Sequence, residues 1–346
     1  MKSLFKTNGK FYKVNLHCHT KVSDGGLTPD EMKELYKKNG YSAVAFTDHN
    51  LFITHNDLTD DEFVALNGYE TCFTEPHWVG VVDKPGFCDV KSTHLCIIAM
   101  TPDEDRQPLY CPDFITRASG NIPDFAHLAK YFEGDEPFVK EHTPESINKA
   151  IRLSRDRGFF VTYNHPNWTM DTYEDYGNYE GMNALEIYNN VSAQYGVDDY
   201  CPKVYDELLR QGKRLVCVAT DDNHNSNRTP VPDSFGGFTM IRAEKLDYVA
   251  LMNALERGDC YASCGPLFED ISYEGGKIFV KTSTPVKRID FSTSRRHQKA
   301  VFDRDGKGIF EGEFEPDERD EYVRVTLLDF EGNHANSRAY FKDEFK

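Results

Sequence analysis

Nine side chains of this sequence are of the kinds that bind metal ions through nitrogen and oxygen: His17 and His19 in LHCHT, Asp24 in SDGG, His49 in FTDHN, Glu70 in GYE, His94 in STHL, His165 in YNHP, and Asp222 with His224 in ATDDNH. Most stand where an apolar run ends. Six imidazoles and three carboxylates so placed point to a polynuclear metal site. Half of the twelve histidines belong to this set, all but His94 next to or one residue away from an Asp, Glu, Asn or another His, whereas His55, His77, His127, His142, His297 and His334 fit no such scheme. A single histidine near a strand end is more often a hydrogen-bonded structural residue, so the weight rests on HxH, TDH, NHP and DxH occurring together.

Mixed imidazole and carboxylate donors suit Zn²⁺, Mn²⁺ or Fe; the absence of thiolate motifs argues against soft-metal cages, and the histidine content argues against Mg²⁺ or Ca²⁺. To act as one site the nine residues must be brought together by the elements that carry them. Side chains alternate faces along a strand, so His17 and His19 share a side with Cys18 opposite, and Asp222 shares a side with His224. In α/β barrels the strand ends converge at one mouth, where ligands from different strands meet. His94 precedes its apolar run and reaches that mouth only if its strand runs antiparallel or bends.

The rest of the chain supplies such elements. Between residues 10 and about 258, β-branched apolar runs alternate with amphipathic stretches, the pattern of βα units around a parallel sheet. Thr28-Pro29-Asp30-Glu31 reads as a capped helix start with Pro at the first position, and Gly40 as its stop. Further helices are expected at about 144–157, feeding FFVTYNHP, at about 199–211, feeding RLVCVATDDNH, and at about 244–257. Residues 101–143 break the rhythm with Pro102, Pro108, Pro112, Pro123 and Pro137 and read as an insertion serving as a lid. After SCGP only strand patterns with EGG, DRDG and FEGN turns follow, implying a β-sandwich over 261–346 behind an α/β barrel over 1–260.

Composition limits the function. The 346 residues carry 57 acidic and 40 basic side chains, a formal charge of −17 that repels phosphate backbones and anionic lipid heads. Duplex nucleic acid and membranes are therefore not expected partners. Nine cysteines without a CxxC pair read as reduced thiols in a cytoplasmic protein, and the N-terminus shows no apolar leader, so the chain reads as soluble and unprocessed.

The series of motifs resembles the PHP (polymerase and histidinol phosphatase) superfamily, over residues 10–260. The resemblance implies a distorted (β/α)7 TIM-like barrel with a trinuclear centre: His17, His19, Glu70 and Asp222 on one ion, Glu70, His94 and His165 on a second, and Asp24, His49 and His224 on a third, with Glu70 bridging the first two. The Asp-x-His pattern selects Asp222 over Asp221, which would then be a supporting or surface acid. ERGDCYASCGP followed by an all-β tail is similar to the CehA/McbA-like subgroup with its C-terminal β-sandwich. Paired cations about 3.5–4 Å apart activate water and clamp a phosphate for in-line hydrolysis, so the expected activity is that of a metal-dependent phosphatase or phosphodiesterase acting on a small soluble phosphate ester. Asp24 or a water is expected to protonate the leaving oxygen. The resemblance also implies a cation on the substrate phosphate; Arg228 in NHNSNRTP is the leading candidate, with Lys91, Arg117 and Arg157 as others. Asn164, Asn167 and Asn223 adjoin candidate ligands and either orient them or satisfy turns. Glu186 is expected to give structural support, and Trp168, Tyr173, Tyr176 and Tyr179 to pack a loop or line a pocket. The alternatives are an exonuclease acting on single strands and a non-catalytic binding protein stabilised by its metals.

Overall fold

The structure is a computed structural model and describes residues 2–75, 91–112, 115, 121–227 and 231–345. Arg228, Arg117, His77 and Cys88 lie outside the described residues. Strand β1 (Lys2–Ser3) is set apart from the strands that carry the site, which follow it in chain order: β2 (Lys10–Asn15), β3 (Ala43–Phe46), β4 (Val64–Thr74), β5 (Ser92–Ala99), β6 (Phe159–Tyr163), β7 (Ala184–Asn189) and β8 (Val216–Thr220). These seven are neighbours in sequence order within one sheet. The pairings β2–β3, β3–β4, β6–β7 and β7–β8 are parallel, while β5 runs antiparallel to both β4 and β6.

The helix Pro29–Lys38 shows why the connections form where they do. The Thr28 side chain accepts from the Glu31 backbone N–H while Glu31 reaches back to Thr28, and Pro29 occupies the first turn, where its missing N–H costs nothing. Lys37 and Lys38 complement the dipole at the far end. Met32 and Tyr36 face inward beside Val44 and Phe46 of β3 in one buried cluster; each such side chain is worth about 1.5–3 kcal/mol relative to exposure. Helices Pro144–Asp156, Pro202–Arg210 and Tyr248–Arg257 occupy three of the spans expected from periodicity.

The expected distorted (β/α)7 barrel is not closed by strand pairing among the described residues. Lys10 to Val14 of β2 give their second edge to β9 (Phe238–Ala243), which runs antiparallel to it, so that edge is not open to β8. The two ends of the row meet beyond the strands instead, through a parallel bridge between Cys18 and Asn223, with His19 N–H donating to Asn223 O and Asp222 N–H to His17 O, both at 3.0 Å.

The sheet continues past residue 260 without a break. β10 (Cys260–Ser263) pairs with β9 and, on its other edge, with a C-terminal strand at His334–Ser337, which leads on to Tyr322–Leu328, Arg288–Thr293 and Lys299–Phe302. A second sheet of four strands, formed by β1 with Phe268–Glu274, Lys277–Val286 and Ile309–Phe314, faces it. Phe268, Ile271, Val280, Ile289, Phe291, Phe314 and Val325 fill the layer between them, giving the two-sheet packing that the alternating tail implied. Among the described residues no helix is long and apolar enough to cross a membrane.

Candidate metal centre

All nine candidate donors lie together at the end of the row where β2, β3, β4, β6, β7 and β8 finish and β5 begins. The reversed direction of β5 is what admits His94: placed near the start of its strand, it pairs with Cys72 near the end of β4. Glu70 is the hub. Its Oε1 lies 2.8 Å from His94 Nδ1, 3.2 Å from His165 Nε2 and 3.4 Å from His17 Nε2. Its Oε2 lies 2.9 Å from His49 Nδ1 and 3.5 Å from His19 Nε2. Asp222 Oδ1 sits 2.9 Å from His19 Nε2 and 3.2 Å from His17 Nε2. On the outer side, Asp24 Oδ1 lies 3.6 Å from His224 Nε2 and 3.7 Å from His49 Nε2.

Three overlapping groups have donor atoms within 4.8 Å of one another: His17, His19 and Asp222; His17, Glu70 and His165; and His19, Asp24, His49 and His224. They differ from the division implied by resemblance at three points: Glu70 is absent from the first group, His17 stands where His94 was placed, and His19 joins the outer group. The donor set fits divalent ions. The His17 and His19 Nε2 atoms face each other at 3.2 Å. The other ring nitrogens of His19 and His165 are buried without a hydrogen-bond partner, an expensive condition for polar atoms unless a ligand satisfies the site. Asp222 and His165 also hold left-handed backbone, at φ of 52° and 26°. Such conformations cost roughly 1–3 kcal/mol in non-glycine residues and gather at functional sites.

Buried supports fix these groups. Glu186 accepts from His17 Nδ1 at 3.0 Å and from the His165 backbone N–H at 2.8 Å, directing the His17 Nε2 lone pair toward Glu70 and Asp222. Asn164 lies 2.8 Å from the same His17 nitrogen, and Asn189 donates to Asp222 Oδ2 at 3.1 Å. Asp221 is turned away from the donors, as the Asp-x-His pattern implied: it accepts from Tyr36 Oη and from the backbone N–H groups of Phe235, Gly236 and Gly237. Two supports escaped the sequence reading. Asp48 accepts from the Thr20 and Ser23 N–H groups and hydroxyls, shaping the loop that carries Asp24. Asp233 accepts from the N–H groups of His224 and Asn225 at 2.7 and 2.8 Å. The only signal for Asp48 was its position beside His49, on the opposite face of the chain.

Other candidates sit elsewhere. Lys91 is bound to Asp175 at 2.7 Å, and Arg157 forms a two-pronged pair with Asp135 at 2.6 Å; both cations are committed to carboxylates. Asn167 anchors its loop to Asp199, and Asn223 bonds to Asn15, Asn225 and Met32. Tyr176 and Tyr179 are buried, while Trp168 and Tyr173 are exposed.

The charges of the cluster are strongly coupled. Burial raises the pKa of Glu70, but His94, His17 and His49 outweigh it and hold the carboxyl well below its usual range. Burial likewise opposes ionisation of Asp24, yet the rings of His49 and His224 bring it down to about 2. A carboxyl held there is ionised at neutral pH and accepts rather than donates protons. Burial lowers His49 and His165, but Asp24 and Glu70 raise the first to about 10, and Glu70 with Glu186 raises the second to about 9. His19, buried and flanked by His49 and His224, falls to about 4.

Residues 15–84 match the PHP domain family model. No curated protein matches the chain. Among solved structures, it is similar to a two-domain protein from Bacteroides vulgatus containing a predicted PHP-like metal-dependent phosphoesterase, at 14% identity and a TM-score of 0.44, covering 98% of this chain and 97% of that one. It is also similar to a protein named as a metal-dependent phosphoesterase from Bifidobacterium adolescentis (16% identity, TM-score 0.34, 62% of this chain and 89% of the other). A third, an amidohydrolase from Chromobacterium violaceum, shows 16% identity and a TM-score of 0.35 over 61% of this chain and 87% of its own. The matched segment holds five of the nine candidate donors, His17, His19, Asp24, His49 and Glu70.

Proposed function

We propose that the protein is a metal-dependent phosphoesterase acting on a small soluble phosphate ester, with β2–β8 serving as a distorted (β/α)7 barrel and the tail from 261, together with β1, as a β-sandwich that continues its sheet. One observation carries the reading: a single buried carboxylate, Glu70, is ringed by five imidazoles, with Asp222 and Asp24 completing the set. Three divalent ions, Zn²⁺, Mn²⁺ or Fe, would be held by His17, His19, Glu70 and Asp222, by Glu70, His94 and His165, and by Asp24, His49 and His224. Bound there, such ions supply an activated water and neutralise charge on phosphoryl oxygens. The protein's own residues do the positioning. Glu186 and Asn164 fix the His17 ring, Asn189 fixes Asp222, and Asp48 holds the loop that presents Asp24. With Asp24 ionised, its role is that of a ligand, and the leaving oxygen takes its proton from another source.

The reading is tested by metal-dependent release of p-nitrophenol from its phosphate mono- and diesters. No turnover with Mn²⁺, Zn²⁺ or Fe²⁺ on any of several esters would defeat it and favour a binding role.

Ion loading should also release protons. His49 and His165, raised to about 10 and about 9, carry protons at neutral pH before ions bind. Both must be neutral to coordinate, as must His17, which burial lowers but Asp222, Glu70 and Glu186 hold well above its ordinary value, so binding at about pH 7.5 displaces about three protons and apparent affinity rises with pH up to that range. Calorimetric Mn²⁺ titrations in buffers of different ionisation enthalpy measure this; affinity independent of pH would remove these histidines from the ligand set.

A further inference from the structure

The insertion returns to the sheet along residues 138–142, where exposure alternates: Phe138 is buried, Val139 exposed, Lys140 half-buried, Glu141 exposed and His142 half-buried. An extended segment with that alternation directs Phe138, Lys140 and His142 to one side, and their contacts show that this side meets the mouth of the candidate metal centre. Lys140 Nζ donates to Asn50 Oδ1 at 2.7 Å. Asn50 directly follows His49, and its backbone N–H donates to Glu70 O at 2.6 Å. Its left-handed φ of 56° and the bond from Gln107 Nε2 to its carbonyl at 3.2 Å hold it in place.

Two residues on, the His142 ring, with 6% of its side chain exposed, is bound to Asp171 Oδ1 and Thr93 Oγ1, each at 3.1 Å. Thr93 adjoins His94. Asp171 belongs to the loop that follows His165, and its Oδ2 accepts from Thr93 at 2.8 Å and Tyr163 at 2.9 Å. The arm is thus tied to the segments carrying three candidate ligands, His49, His94 and His165.

We propose that residues 138–142 form a fixed wall of the substrate site rather than a hinged lid, in which Lys140 binds the anionic oxygens of the substrate and His142 pins the arm beside His94 and His165. This deepens the phosphoesterase reading and rests on it. A protein of net charge −17 repels anions over most of its surface, so a tetrahedral oxyanion needs a local cation to enter. An ammonium on the rim is well placed for phosphate because it acts as a point charge with rotatable donors.

The test is inorganic phosphate binding to the Mn²⁺-loaded protein by calorimetry, together with KM and kcat on p-nitrophenyl phosphate. Lys140→Met is expected to weaken phosphate binding roughly 10- to 100-fold, as for loss of a charged hydrogen bond, and to raise KM by a similar factor, with metal content and circular dichroism unchanged. Lys140→Arg should restore most of the binding. His142→Ala should weaken phosphate binding in the same direction, and the double variant should lose less than the two single losses combined, because both act through one arm. Lys140→Met that binds phosphate as the parent does, or a parent that binds no phosphate, overturns the proposal. Phosphate binding that depends on Lys140 in a protein that hydrolyses no ester would leave the wall standing and defeat the phosphoesterase reading alone.

Discussion

Replacing Glu70 with glutamine should abolish hydrolysis while leaving the chain folded. The carboxylate meets five imidazoles through its two oxygens, with Oε1 facing His17, His94 and His165 and Oε2 facing His19 and His49. Glutamine keeps the shape but loses the charge and turns one oxygen into an NH2 group, which has no lone pair for an ion and presents donors to its neighbours. If Glu70 serves two of the proposed ions, its loss weakens the hold on both. The expected fall in kcat/KM is at least about 1,000-fold, equivalent to roughly 4 kcal/mol of transition-state stabilisation. Metal content should drop with it, whereas circular dichroism should stay close to the parent because the residue adds no volume. His19→Ala should behave similarly. Turnover within tenfold of the parent, with full metal content, would show that Glu70 is not the bridge and would break the trinuclear arrangement.

The donors were legible because their signal is local. HxH and DxH place two groups on one side of an extended chain whatever the rest of the fold does, and the capping box at Thr28 and Glu31 marks its helix from four residues alone. What the sequence could not carry depends on distant partners. Nothing near His94 states that β5 runs against both neighbours, since strand direction is settled by the connections on either side. The edge of β2 is given to β9, more than 220 residues away in the chain, and this pairing keeps β8 from forming a ladder with β2 there. Lys140 and His142 sit in a Pro-rich stretch without periodicity, and their value comes from Asn50, Thr93 and Asp171, none of them adjacent in sequence. The same holds for Asp48 and Asp233, whose partners are backbone N–H groups and so leave no side-chain motif. Donor identity was readable from type and spacing; the supports that fix each donor were not.

Those supports carry stability as well as position, and Asp221 is where the expected loss is greatest. It is wholly buried next to Asp222, and its two oxygens accept four bonds. Oδ1 takes the N–H groups of Gly236 and Gly237 at 2.9 and 2.8 Å, and Oδ2 takes Tyr36 Oη at 2.7 Å and the Phe235 N–H at 2.8 Å. Alanine would strand three backbone donors and a hydroxyl; each unsatisfied buried donor costs about 1–3 kcal/mol, so Asp221→Ala should lose about 3 kcal/mol or more even if water enters. Asparagine keeps one acceptor but sets an NH2 against the Phe235 N–H, and should cost about 1–3 kcal/mol. Burial raises the Asp221 pKa to about 6, against the pull of those same donors. A folded pKa above the unfolded value of 3.8 means that this group's contribution is fully present below about pH 4 and is lost as pH rises through about 6. The parent should therefore gain on Asp221→Asn as pH falls from about 6 to about 4, a sign opposite to that of a carboxylate stabilised by its charge. Urea unfolding of the parent and both variants across that range reads out the order and the slope. A gap that narrows on acidification would mean that Asp221 is held as a stabilised anion, and that the donors around it outweigh its burial.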